Sequence, residues 1–337
     1  MARFSRRNSP TNGNTSATGL TNNPPVRRGL FATIKDDVQA ALLEFVGTTT
    51  FLMLAFGGVQ ATIAEQTASG ASGPSVSRVM YISLSFGLSL LISAWLFFRV
   101  TGGLFNPNVT TALLLSGIIG PVRFVLFCIA QLAGGIAAAA LVLALTPGPL
   151  ASNTVLAPGI NPAQAVWMEA FMTAILCLAV LMLAAEKHIA TPFAPVGIGL
   201  TLFACELFSV YYTGGALNTA RSFGPAVVTG FPYGTHWVFW VGPGIGSLIA
   251  AALYAALKHY RYWRLNPGQD TIDFEESPPD PVENVIRSRS SRSSRRSRSE
   301  ERDRMEERDR MEKRRPQDGG ARRPDGGDGY RPNDSPV

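Results

Sequence analysis

Two stretches of this chain repeat one another. Thr101-Gly102-Gly103-Leu104-Phe105-Asn106 and Thr213-Gly214-Gly215-Ala216-Leu217-Asn218 both read Thr-Gly-Gly-x-x-Asn, 112 residues apart. The register holds upstream, where Gly87-Leu88-Ser89-Leu90 is echoed by Gly199-Leu200-Thr201-Leu202. A further echo, Glu-x-x-x-Thr, opens each half at Glu44–Thr48 and Glu169–Thr173. The Glu-to-Asn distance is 62 residues in the first half and 49 in the second, and the 13 extra residues fit a longer first loop around Gln60 to Ser77. A polar, glycine-rich loop recurring at one register in apolar surroundings is a structural element of a duplicated fold, not a linker.

Charge sets the surroundings. Of 30 Lys/Arg and 24 Asp/Glu, only eleven lie between Val38 and Lys258, too few for a water-facing surface, so this part reads as a membrane domain. Apolar spans run at about 38–60, 79–98, 121–145, 163–185, 194–212 and 235–258, each near the ~20 residues that cross a bilayer core. The expected fold is therefore an all-α integral membrane protein. Its domain occupies residues 36–260, with repeats at about 38–145 and 163–258. Residues 1–35 and 261–337 are expected to be disordered, polar, charged tails. The first thirty residues carry no apolar run, so insertion is expected to rest on the first internal span.

Lys and Arg near span ends (Arg27, Arg28, Lys35, Arg99, Lys187, Lys258, Arg261, Arg264) place both termini in the cytoplasm, with Arg78 and Arg221 against the trend. The plasma membrane is the expected location. The net charge of +6 belongs mostly to the tails and is a weak guide to partners. The Arg287–Ser299 run reads as a solvated tail, and no nucleic-acid partner is expected. Arg6-Arg7-Asn8-Ser9 is a short kinase-type match. Cys128, Cys177 and Cys205 fall in apolar spans and read as buried small residues; with the three histidines scattered, neither a metal nor a cofactor is expected.

Three spans per half reverse the chain, so the second repeat is inverted relative to the first. Asn106 to Gly117 and Asn218 to Thr229 are apolar but only about twelve residues long, enough for a helix covering half the bilayer core. Two such re-entrant half-helices entering from opposite faces bring their N-termini together at mid-membrane. Asn106 and Asn218 are suited to N-cap them, and Pro107 takes the first helical position. Gly102, Gly103 and Gly214 permit an unwound backbone whose carbonyls face a polar path. Two positive helix ends and two amide NH₂ groups at the centre suit a small neutral solute and repel cations. Glu44 and Glu169, at matched points of the repeat, are expected to accept backbone N–H groups from the loops. Arg221 aligns with Val109 and breaks the symmetry on the outer side, as a filter.

These residues resemble the aquaporin (major intrinsic protein) family across about Val38 to Lys258. The resemblance implies a homotetramer with one channel per subunit, the pore centre at Asn106 and Asn218, and an outer filter at Phe86, Glu206, Gly215 and Arg221. It also shows departures. The motifs are Asn106-Pro107-Asn108 and Asn218-Thr219-Ala220 rather than Asn-Pro-Ala, while the intact Asn161-Pro162-Ala163 falls outside the repeat register. Asn108 and Thr219, polar where the family is apolar, are expected to hydrogen-bond to each other. Glu206 stands where water-selective members usually carry His; it neutralises Arg221, alters solute selection, or faces elsewhere. Gly215 removes side-chain bulk from the filter, Phe86 narrows it, and Ser222 stands where glycerol facilitators usually carry Asp.

The expected function is a passive channel, not an enzyme, for water and other small neutral solutes such as hydrogen peroxide. The alternatives are a glycerol facilitator, a secondary transporter coupled through Glu206, and a structural membrane-junction protein.

Overall fold

The computed structural model describes residues 33–70, 73, 75–266, 280–283 and 305–306. The kinase-type match and the Arg/Ser run lie outside the described residues. Eight α-helices follow in order: α1 (Ile34–Ala68), α2 (Val76–Phe97), α3 (Pro107–Leu115), α4 (Pro121–Leu145), α5 (Pro162–Val180), α6 (Ala194–Thr213), α7 (Thr219–Thr229) and α8 (Val238–His259). No strand occurs among the described residues. Six helices are long and apolar enough to cross a membrane: α1, α2, α4, α5 with its π-helical extension to Ala185, α6 with its preceding 3₁₀ turn, and α8. Their outward faces carry Leu42, Leu88, Trp95, Ile129 and Phe171, all exposed, as a hydrocarbon solvent requires. α3 and α7, with 9 and 11 residues, are the half-helices.

Helix ends follow the local sequence with three differences from expectation. The extra residues of the first half do not form a loop: α1 continues to Ala68, because Ala61 to Ala68 contains no glycine or proline, and Gly70, in the left-handed region, ends it. The chain also stays ordered past residue 260. A 3₁₀ turn, Tyr262–Arg264, is tied back to the α5–α6 connection by the Tyr262 hydroxyl donating to Glu186. Finally, α3 ends at Leu115, before Gly117 turns left-handed.

α1 packs on α4, α5 packs on α8, and α2 crosses α6 at the repeat axis. The Gly87/Gly199 echo has its reason at that crossing. A Cβ on Gly87 would lie 2.5 Å from Phe203 Cβ, and one on Gly199 would lie 2.7 Å from the Gly87 carbonyl oxygen. Small residues let two backbones approach where no hydrophobic force separates protein from lipid. α4 receives the second half-helix in the same way: Gly135 and Gly224 lie so close that a Cβ on either would overlap the other helix's backbone.

Asn161-Pro162-Ala163 serves only as a helix start. Asn161 caps α5 through a capping box with Gln164, exposed and away from the repeat axis.

Candidate functional site

The two loops share one backbone. Gly102 and Gly103 have φ of 95° and 65°, against 82° and 61° at Gly214 and Gly215; Phe105 and Leu217 both sit at 49°. Left-handed φ at a non-glycine residue costs on the order of 1–3 kcal/mol and needs outside support. Two buried carboxyl groups supply it. Glu44 accepts the Phe105 N–H at 2.5 Å and an N–H of Gln131 at 3.1 Å. Glu169 accepts Ala216 N–H (2.9 Å), Leu217 N–H (2.8 Å) and the Thr213 hydroxyl (2.6 Å). Each glutamate is fully buried. The residues named from the repeat thus come together, Thr213 of the repeated motif among them, and Gln131 and Thr110 join them without a sequence signal of their own.

At the axis the loops interlock. Asn106 Oδ1 accepts the N–H groups of Asn108 and Val109, and Asn218 Oδ1 those of Ala220 and Arg221, so each Asn caps its own half-helix. Each Asn Nδ2 donates across the axis: Asn106 to the Leu217 carbonyl at 2.9 Å, Asn218 to the Phe105 carbonyl at 2.8 Å. An amide NH₂ carries two donors. One N–H of each Asn therefore fixes the opposite loop, and the second remains for the lumen that both residues line.

The departures from Asn-Pro-Ala compensate each other. A proline after Asn218 would have no N–H, but Thr219 has one, at the first position of α7. Asn108 Oδ1 accepts it at 2.9 Å and lies 3.0 Å from the Thr219 hydroxyl, which is also 3.1 Å from the Phe239 carbonyl. Ser247 holds Asn108 in place by donating to its carbonyl at 2.8 Å. Thr219 and Asn108 are both buried.

One break in symmetry lies toward the α7 side. Arg221 is 3% exposed, donates to the carbonyls of Ser152 (2.6 Å) and Gly214 (3.0 Å), and lies over the rings of Phe86 (4.8 Å) and Phe56 (5.7 Å). Ser152 belongs to the uncharged 146–161 connection, whose part in holding the arginine carries no motif. Glu206 is fully buried, and neither of its carboxyl oxygens has a hydrogen-bond partner. Gly215 does not widen the site, contrary to expectation. The volume its missing side chain leaves is filled by Glu206: a Cβ on Gly215 would lie 1.8 Å from Glu206 Oε2.

Phe86, Glu206, Arg221, Asn106, Asn218 and the Gly102–Leu104 backbone line a central cavity with about 20 Å³ open to water-sized spheres. One water needs roughly 10–15 Å³, so the cavity is wide enough for about one water. It shares Arg221 with a vestibule of about 690 Å³ on one side, and Phe98, Gly102, Leu104 and Val180 with one of about 560 Å³ on the other. The three cavities follow one another along the axis between the two half-helices. No cluster able to hold a metal occurs among the described residues.

This fold and site define a multi-pass integral membrane protein with a narrow polar path at the axis of an inverted repeat. Comparison with known proteins agrees. The family model "Major intrinsic protein" matches residues 32–254. Aquaporin-1 of Laccaria bicolor is 62% identical over 261 residues, covering 77% of this chain and 83% of that protein. Aquaporin-7 of Botryotinia fuckeliana is 46% identical over 259 residues, covering 76% and 57%. Among solved structures, the aquaglyceroporin from Plasmodium falciparum superposes with a TM-score of 0.56 at 20% identity, covering 68% of this chain and 98% of that one, a likeness of fold. The chain belongs to the major intrinsic protein family. It is an aquaporin-type channel, not an enzyme.

Proposed function

We propose that the protein is a passive channel for water that also passes hydrogen peroxide and excludes protons and ions. The observation that carries this reading is the pair of Asn amides at the centre, each tied across the axis by one N–H and offering the other to the lumen. A water crossing there accepts from both amides, so its lone pairs are taken; it donates to its neighbours along the file and accepts from neither, and no proton is relayed through it. The positive ends of α3 and α7 and the Arg221 guanidinium raise the barrier to cations. Phe86, Glu206, Gly215 and Arg221 form the filter. Glu44 and Glu169 are the loop supports. Peroxide, close to water in size and hydrogen bonding, fits the same file. The channels assemble as a homotetramer in the plasma membrane, with both termini cytoplasmic.

A glycerol facilitator is the second reading, favoured by glycine at position 215. The Glu206 carboxyl group in that space and the narrow central cavity weigh against it. Stopped-flow light scattering on vesicles containing the purified protein separates the two. Fast osmotic shrinkage with glycerol excluded supports the water channel, and fast glycerol re-swelling overturns it.

A further inference from the structure

We infer that Gln60, in the last turns of α1, is a positioning residue for the Arg221 guanidinium and acts on it through the 146–161 connection. This rests on the reading of Arg221 as part of the filter and adds what holds it there. Because α1 runs on to Ala68, Gln60 lies one four-residue step beyond Phe56 and two beyond Leu52, and all three share a buried face. A glutamine buried among apolar side chains is costly unless its amide finds partners. Gln60 finds both on one piece of backbone. Its Nε2 donates to the Pro149 carbonyl at 3.0 Å, and its Oε1 accepts the Ala151 N–H at 2.9 Å. One residue further on, the Ser152 carbonyl accepts from Arg221 at 2.6 Å.

That backbone has no regular structure to hold it. Among the described residues, no backbone group from 147 to 156 pairs with another backbone group. Side chains fix the segment instead: Gln60 from α1, and Asn153, which donates to the hydroxyl of Thr229 at the end of α7 at 3.0 Å. The Gln60 amide meets the segment as a peptide group would, with one donor and one acceptor, so it sets the facing of the segment as well as its position. A carbonyl one residue beyond such a clamp is aimed, and the guanidinium bonded to it is aimed with it. The other anchor of Arg221 is the Gly214 carbonyl. Without Gln60 that anchor alone keeps its place, and the planar fork can swing about it. The cation barrier at Arg221 therefore depends on a side chain that does not line the central cavity.

Gln60→Met tests this, because it keeps the length of the side chain and loses both hydrogen bonds. Three readouts on the reconstituted channel apply: water permeability, proton leak in pH-dye-loaded vesicles, and hydrogen exchange across residues 147–156. Proton leak per channel is expected to rise roughly threefold or more while water flux stays within about twofold. Exchange at the Ala151 amide, which has lost its acceptor, speeds up. Arg221→Ala raises the leak by itself, and adding Gln60→Met to it raises the leak no further, since the effect of Gln60 runs through the arginine. A glutamine that only stabilises the fold would lower the unfolding midpoint without changing the leak, or would multiply the leak of Arg221→Ala; either result overturns the inference. If Gln60→Met does not fold, Gln60→Glu, which keeps the acceptor for Ala151 and loses the donor to Pro149, is read by the same criteria. A leak in Arg221→Ala equal to that of the wild type would instead sink the filter reading on which the inference rests.

Discussion

The Asn108–Thr219 contact can be taken apart by a double-mutant cycle. Asn108→Ala leaves the Thr219 N–H, buried at mid-membrane, without its 2.9 Å acceptor, while the Thr219 hydroxyl keeps the Phe239 carbonyl. An unsatisfied buried donor costs about 1–3 kcal/mol. Thr219→Pro removes the donor and strands Asn108 Oδ1, at a similar cost of about 1–3 kcal/mol. The double variant has neither the donor nor the acceptor, and proline is well suited to the first position of α7. Its loss should therefore fall below the sum of the single losses by about 1–3 kcal/mol, the range expected for coupled neighbours. The assay is the unfolding midpoint in detergent, with water permeability in vesicles measured alongside. Additive losses in both would show that the two residues do not compensate each other, and that the reading of the altered motifs is wrong.

Five further outcomes follow from the geometry. Glu169→Gln replaces an acceptor of three donors by an amide with one oxygen, leaving at least one buried donor unpaired; about 1–3 kcal/mol of stability is lost, and the yield of folded protein in a size-exclusion assay falls. Arg221→Lys cannot hold the Ser152 and Gly214 carbonyls with one planar fork; proton leak in pH-dye-loaded vesicles rises while water flux remains. At the C-terminal end of α8, buried Glu186 accepts from Tyr254 (2.6 Å), Lys258 (3.0–3.1 Å) and Tyr262 (3.1 Å), so Glu186→Ala strands a buried lysine at a cost of about 3–5 kcal/mol in thermal unfolding. Burial first, and Glu186 second, push Tyr262 above the ordinary tyrosine range; its contribution is present below about pH 10 and lost as pH rises further, a loss that Tyr262→Phe removes. Burial lowers His236 below its ordinary value, and its Nε2 accepts from Trp240 Nε1 at 3.1 Å. Stability at this corner is therefore full above about pH 6.5 and falls on acidification, read as a change in Trp240 fluorescence that is absent in His236→Gln.

The repeat made most of the architecture legible. An echo at a constant 112-residue offset required an inverted pair of half-helices, and Asn-capped starts placed α3 and α7 to within two residues at their C-terminal ends. The matched glutamates were legible because few jobs exist for them in an apolar chain: Glu44 and Glu169 need donors at that depth, and the irregular backbone of the loops supplies them. What stayed hidden depends on proximity alone. The extension of α1 to Ala68 looked like a loop because its last turns leave the apolar pattern, although nothing in them breaks a helix. The Ser152 carbonyl that holds Arg221 comes from a connection with no motif, and a backbone acceptor leaves no mark on residue type. Gly215 misled for a related reason: a missing side chain signals open space only if no neighbour fills it, and Glu206 fills it from the preceding helix, α6.

The central claim, that this path conducts water in single file past two Asn amides, is most directly tested by stopped-flow permeability of vesicles containing the wild-type protein. Water, glycerol and hydrogen peroxide should be compared at matched protein density. The account predicts fast water flux with a weak temperature dependence, measurable peroxide entry and glycerol exclusion. Water flux no faster than in empty vesicles, or glycerol outpacing water, would contradict it.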